Sequence, residues 1–151
     1  MAELSGAERG GRCACGKITY RLSAAPTWTA LCHCESCRRA ASAPIVAWMG
    51  FDPAHVAWRG ERAFYKSTAH ATRGFCPDCG TQLSFESTRW PGEIHLYAVT
   101  LDDPESYIPQ MHCHHGEHLG WMKLDDDLPK YPASAPGAAD DAAHPLLTKG
   151  P

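Results

Sequence analysis

The residues best suited to chemistry in this chain are its cysteines. Seven of the eight fall in three compact groups: Cys13-Ala14-Cys15-Gly16, Cys32-His33-Cys34-Glu35-Ser36-Cys37 and Cys76-Pro77-Asp78-Cys79-Gly80. The eighth, Cys113, stands apart. Thiolates at these spacings are ligands for a metal ion. Two sulfurs on one tetrahedral zinc sit about 3.8 Å apart when Zn–S bonds are roughly 2.3 Å. Cysteines two or three residues apart reach that separation if the backbone turns. A glycine directly after the last cysteine eases the turn, because it tolerates positive φ, and Gly16 and Gly80 hold those places. Disulfides across such short spacings would be strained. A redox CxxC would leave the remaining cysteines unexplained.

The number of ligands carries further information. A structural zinc takes four protein ligands; a catalytic zinc takes three and keeps a position open. CxC with CxxC supplies four: Cys13, Cys15, Cys76 and Cys79. CxCxxC supplies three: Cys32, Cys34 and Cys37. The first site would join distant parts of the chain. The second would be local, with room for a water or a substrate. Spacing alone leaves other partitions open, including a closed second site completed by Cys113 or by a neighbouring histidine.

Other residues near these groups have candidate roles. His33 lies between two cysteines and could act as an acid or base near pH 7, although its neighbours' geometry turns it away from a metal. Arg38 and Arg39 follow the second group and could hold a substrate carboxylate. The segment Met111-His112-Cys113-His114-His115-Gly116-Glu117-His118 reads as a third metal site or as an exposed strand and turn. Trp48, Trp90 and Trp121 read as core or pocket wall, and Asp125-Asp126-Asp127 as a solvated acidic turn.

The elements that must position these residues are mostly strands. Segments 17–22, 44–49, 62–66, 81–85 and 93–99 carry alternating or apolar β-branched and aromatic residues. Turn signals separate them at Ala25-Pro26, Asp52-Pro53, Arg59-Gly60 and Pro91-Gly92. Only Cys34 to Ala41 reads as helical, for about two turns of ~3.6 residues. The expected organisation is a flexible N-terminus at 1–9, one folded all-β domain at 10–132 and a disordered Ala/Pro-rich tail at 133–151. A length of 151 residues fits one domain.

Composition excludes several classes. The formal net charge is -3, and basic residues cluster only at Arg38-Arg39, so nucleic acid is not expected as a partner. No run reaches the ~18 apolar residues of a membrane helix, so no membrane association is expected. Met1 to Gly6 lacks the regions of a secretory signal. A cysteine-rich chain without one is expected in the reducing cytoplasm, holding metal and not disulfides.

The order GxCxCGxxxY (Gly11 to Tyr20), CHCxxCRR (Cys32 to Arg39) and GFCPxCGTxL (Gly74 to Leu83) resembles the glutathione-dependent formaldehyde-activating enzyme family, which includes centromere protein V. Leu101-Asp102-Asp103-Pro104 and Trp121 are similar to its C-terminal part, so the resemblance covers about residues 10–131. It implies a zinc-bound β-tent of stacked antiparallel sheets, with a short helical turn after the second cysteine group. It also implies two Zn2+ per chain, with Cys13, Cys15, Cys76 and Cys79 as the structural site and Cys32, Cys34 and Cys37 as the reactive one. The implied activity is that of a carbon–sulfur lyase handling a thiol–aldehyde adduct, as in forming S-(hydroxymethyl)glutathione from glutathione and formaldehyde. Arg38 is the candidate substrate contact. The competing expectation is a non-catalytic zinc module that binds other proteins, since fold does not fix function.

Overall fold

The computed structural model describes residues 9–136. The expected flexible start therefore lies outside the described residues up to 8, and the expected tail from 137 onward. The chain is mostly β. In order it forms β1 (Arg9–Arg12), β2 (Thr19–Leu22), β3 (Trp28–Cys32), α1 (Glu35–Ala41), β4 (Val46–Phe51), β5 (Val56–Arg59), β6 (Ala63–Lys66), β7 (Ala71–Phe75), β8 (Gln82–Ser87), β9 (Ile94–Tyr97) and β10 (His112–Cys113), with short 3-10 turns between some of them. No helix among the described residues is long and apolar enough to cross a membrane.

The strands make two sheets. β1, β2 and β5 form a small antiparallel sheet; the second runs β10-β3-β4-β9-β8-β7-β6. Within the larger sheet only β10 is parallel to its neighbour, pairing Cys113 with Cys32. Period-two alternation decides what each face of this sheet does. On β4, Met49 and Phe51 point into the core shared with Tyr20, Leu22 and Val56 of the small sheet. The alternate residues Val46 and Trp48 point the other way, into a cluster that holds Cys32, Cys34 and Cys37. On β9, Ile94 and Leu96 join the first core, which leaves His95 and Tyr97 for the second face. One face of the sheet thus builds the core and the other builds the site.

Register then lays a continuous row across that second face. Trp28 pairs with Gly50, Gly50 with His95, His95 with Phe85 and Phe85 with Arg73. Gly50 is required in this row, because a β-carbon there would collide with the Trp28 indole. Its absence lets the indole cross the β4 backbone and meet His95 edge-on at 4.6 Å between centroids. A bulge at the end of the β7–β8 ladder, between Gly74 and Phe75, re-aims the chain there. Leu83 accordingly packs with Cys13, Ile18 and Cys76 in a third, smaller cluster.

Candidate metal centres

The four-cysteine site is built from two matching turns. Cys13 and Cys15 lie in the β1–β2 connection, and Cys76 and Cys79 in the β7–β8 connection. In the first turn Cys13 N–H donates to Ile18 O (3.0 Å) and Gly16 N–H to Cys13 O (3.1 Å). In the second Cys76 N–H donates to Thr81 O (2.9 Å) and Gly80 N–H to Cys76 O (2.8 Å). Both glycines sit at φ 79, where a side chain would be strained. The turns curl the cysteines together: the Cys13 and Cys15 sulfurs are 3.5 Å apart, Cys15 and Cys76 3.7 Å, and all four lie within 4.8 Å of one another. These separations match two thiolates on one tetrahedral ion, about 3.8 Å. The cluster could therefore hold a metal ion, and its all-sulfur donor set is consistent with zinc. Cys13 and Cys76 are fully buried, whereas Cys15 and Cys79 are exposed.

The second cluster is more compact in sequence and deeper in the fold. Cys32 ends β3, Cys34 caps α1 and Cys37 lies in its first turn. Cys37 N–H donates to Cys34 Sγ at 3.3 Å, so the helix start itself sets the spacing of the ligands. Their three sulfurs lie within 4.8 Å of one another, and all three residues are buried. Hydrogen bonds from Cys32 and Cys34, joined by the charge of Arg73, hold the Cys37 thiol well below its ordinary range despite burial. The parallel pairing also brings Cys113 beside Cys32. Its thiol hydrogen-bonds that of Cys32 but does not lie within 4.8 Å of all three sulfurs of the trio.

Arg73 is a site residue that the cysteine pattern does not reveal. It is 1% exposed. One guanidinium nitrogen donates to Tyr97 Oη at 3.0 Å; another donates to Ser36 Oγ at 3.1 Å and approaches Cys37 Sγ at 3.9 Å. Burial disfavours its charge, but the Cys37 thiolate outweighs that and holds the guanidinium protonated. A dication held by three thiolates would leave one negative charge, which Arg73 is placed to cancel within the low-dielectric interior. Arg73→Leu should leave Tyr97, Ser36 and Cys37 facing an apolar side chain. We expect it to cost about 3–5 kcal/mol, as for breaking a buried charge pair, and Arg73→Lys to restore part of the loss. Urea unfolding of the two variants measures both.

The sequence signal available for Arg73 is slight: a lone arginine two residues before Phe75-Cys76 in a strand rich in small residues. Its partners come from α1 and β9, far away in sequence. Arg38, the expected substrate contact, donates instead to two backbone carbonyls, His33 O (3.0 Å) and Glu117 O (3.4 Å). Arg39 pairs with Glu35 one helical turn away at 2.8 Å.

His33, His112, His115 and His118 pack together, whereas His114 lines the cavity beside the cysteines. His33 turns away from the cysteines, as its spacing predicts. His112 Nε2–H donates to Asp126 at 2.9 Å, so His112 Nδ1 accepts from His33 Nε2–H at 2.7 Å. Burial, and then the neighbouring His112, lower the His33 pKa to about 4, keeping it neutral near pH 7. His112 is 1% exposed and His33 2%, so this segment is not an incidental exposed strand. Asp126 likewise anchors the chain and is not simply a solvated turn. Among the described residues, no third group of ligands has the spacing for a metal ion. Trp121 is 73% exposed and belongs neither to the core nor to a pocket wall, in contrast to the expectation from sequence.

A cavity of about 430 Å³ opens over the three-cysteine cluster. Cys32, Cys34, Cys37, Cys113 and Arg73 line it. Trp28, Trp48, Phe85, Trp90 and His95 also line it, as do Ser134 to Pro136. Glu93 stands at the wall, accepting from His95 Nε2–H at 2.8 Å and from the Trp28 indole N–H at 3.4 Å. The hydrogen bond from His95 lowers the Glu93 pKa, so the carboxylate is ionised.

Comparison with known proteins agrees with this geometry. The family model described as "Glutathione-dependent formaldehyde-activating enzyme" matches residues 8–117. A protein of Schizosaccharomyces pombe, named as an uncharacterized lyase, is 33% identical over 78 residues, which cover 52% of this chain and 57% of that protein. The chain thus spans little more than half the length of that relative. A crystal structure of a Rhodobacter sphaeroides protein superposes with a TM-score of 0.53 at 21% identity, covering 66% of this chain and 97% of the other. That likeness shows the fold.

Proposed function

The chain belongs to the glutathione-dependent formaldehyde-activating enzyme family, and from that premise we propose that it is a zinc-dependent enzyme of the carbon–sulfur lyase kind. Its reaction joins a small-molecule thiol to an aldehyde, as in forming S-(hydroxymethyl)glutathione from glutathione and formaldehyde. The observation that carries this reading is the trio Cys32, Cys34 and Cys37, whose sulfurs come together without a fourth cysteine inside the same mutual reach and which lines a cavity. Cys13, Cys15, Cys76 and Cys79 are assigned to a structural zinc. Eight unpaired cysteines fit a reducing compartment, the cytoplasm.

A free thiol with a pKa of about 8.5 is mostly protonated at pH 7. Zinc, when bound, supplies the charge that keeps such a thiol deprotonated. The chain's own residues do the rest. Cys32, Cys34 and Cys37 hold the ion on rigid elements. Arg73 offsets their excess negative charge, so that a further anionic sulfur can be brought in. The apolar walls exclude water from the carbonyl carbon while the carbon–sulfur bond forms. Arg38, committed to backbone carbonyls, would have to exchange those bonds to meet a substrate.

The test is kinetic. With purified protein, adduct formation from glutathione and formaldehyde should exceed the spontaneous rate and saturate in glutathione, and metal analysis should give two zinc ions per chain. A rate equal to the spontaneous one would overturn the proposal. The alternative, a non-catalytic module for protein interaction, needs a closed second site. Cys113 is the nearest candidate, but it lies outside the trio's mutual 4.8 Å reach.

A further inference from the structure

The walls of the cavity indicate what accompanies the reacting carbon. A one-carbon aldehyde would occupy only a small part of 430 Å³, a volume within the roughly 300–1,000 Å³ typical of pockets for whole small molecules. The walls are rings gathered around His95. Trp28 meets it edge-on at 4.6 Å, Phe85 stacks on it at 5.4 Å and Trp90 lies 5.7 Å away. Such an assembly offers both ring faces and ring edges, the two contacts that a planar aromatic guest makes at about 4.5–7 Å between centroids. Gly50 makes it possible, by letting the Trp28 indole lie across β4.

The charges in the cavity narrow the choice. Arg73 commits both terminal guanidinium nitrogens to Tyr97, Ser36 and Cys37; its Nε alone lacks a partner, one donor where a bidentate carboxylate clasp needs two. Glu93 is anionic and repels one. A glutathione-like thiol carries carboxylates, which are better left at the mouth in water. We infer that this cavity takes the ring of a neutral aromatic aldehyde, so that the thiol adduct handled here is that of an aromatic aldehyde. The inference rests on the thiol–aldehyde reading above. The reaction balances without an oxidant: the thiol sulfur bonds to the carbonyl carbon, the C=O π pair moves to oxygen, and the thiol proton ends on that oxygen. The product is ArCH(OH)SR.

Stable thioethers test the site without turnover. Calorimetric titration of the zinc-loaded protein with S-methyl-, S-hexyl- and S-benzylglutathione reads the pocket's preference. The benzyl compound should bind ~10-fold or more tightly than the methyl one, as expected for burying one ring, and more tightly than the hexyl one. In Trp90→Ala the benzyl preference should fall severalfold, with far-UV circular dichroism and zinc content reporting that the variant is folded. If that variant does not fold, the three ligands on the unaltered protein decide alone. With glutathione as the thiol, kcat/KM should favour benzaldehyde over formaldehyde. Equal binding of methyl and benzyl thioethers, or hexyl binding as tightly as benzyl, overturns the inference. If the formaldehyde reaction is still accelerated and saturable in that case, the reading of the reaction stands. A benzyl preference with no accelerated condensation supports the aromatic site and removes the reading of the reaction.

Discussion

Cys34→Ser is expected to return thiol–aldehyde condensation to its spontaneous rate and to lower the metal content from two ions per chain to one, while leaving the fold in place. The position allows this separation. Cys34 is the cap of α1, and its side chain accepts the Cys37 N–H at 3.3 Å. Serine is among the preferred residues at such a cap, so the helix start survives. A serine hydroxyl, unlike a thiol, is not a metal ligand of the sulfur-rich kind that this site offers. Cys32 and Cys37 remain, but two thiolates do not make a three-ligand site. The measurements are the initial rate with glutathione and formaldehyde, zinc per chain and the thermal midpoint. A variant that keeps more than a small fraction of the catalysed rate would remove the trio from the chemistry.

The second large effect lies at the opposite site. Cys76→Ser should abolish cooperative folding. Cys76 is fully buried and packs with Cys13, Ile18 and Leu83, a cluster with few apolar residues of its own. An ion bound by the four cysteines would join the β1–β2 turn to the β7–β8 turn. Structural zinc binding is worth an apparent ~10–16 kcal/mol in small zinc domains, whereas a whole domain is stable by about 5–15 kcal/mol. Losing most of that contribution would consume a margin of this size. Circular dichroism and thermal melting of Cys76→Ser should show a broad transition or none. Melting within a few degrees of the unaltered protein would mean that the sheets stand without this cross-link.

The cysteine clusters are the most legible part of this protein in sequence. A thiolate pair needs only a local turn, and the turn leaves a local mark: both Gly16 and Gly80 adopt the positive φ that their position after a cysteine predicts. The helix after the second group and the strands at β2, β4, β6, β8 and β9 are legible too, because their alternation or apolar runs are local. The remaining strands are defined by their partners. β1 is Arg-Gly-Gly-Arg, a segment with no strand preference, and it exists through its ladder with β2. β7 contains an arginine and a glycine, and β10 has two residues. Arg73, Gly50 and the aromatic row around His95 are illegible for the same reason. Their meaning depends on register across several strands, and no spacing in one segment records it. The buried link from His33 through His112 to Asp126 is the longest-range case. Its three residues read separately as a possible base, an exposed strand and an acidic turn.

The burial of the two cysteine clusters determines how this protein would be damaged. Cys15 and Cys79 are exposed, whereas Cys32, Cys34 and Cys37 are all buried. Peroxides and competing chelators reach exposed thiolates first. The cluster assigned above to the reaction is therefore the sheltered one, and the cluster assigned to joining the sheets is the more accessible one. Inactivation under oxidative stress should then follow a wear pattern unusual for a thiolate enzyme: the scaffold gives way first, and the chemistry is lost as a consequence.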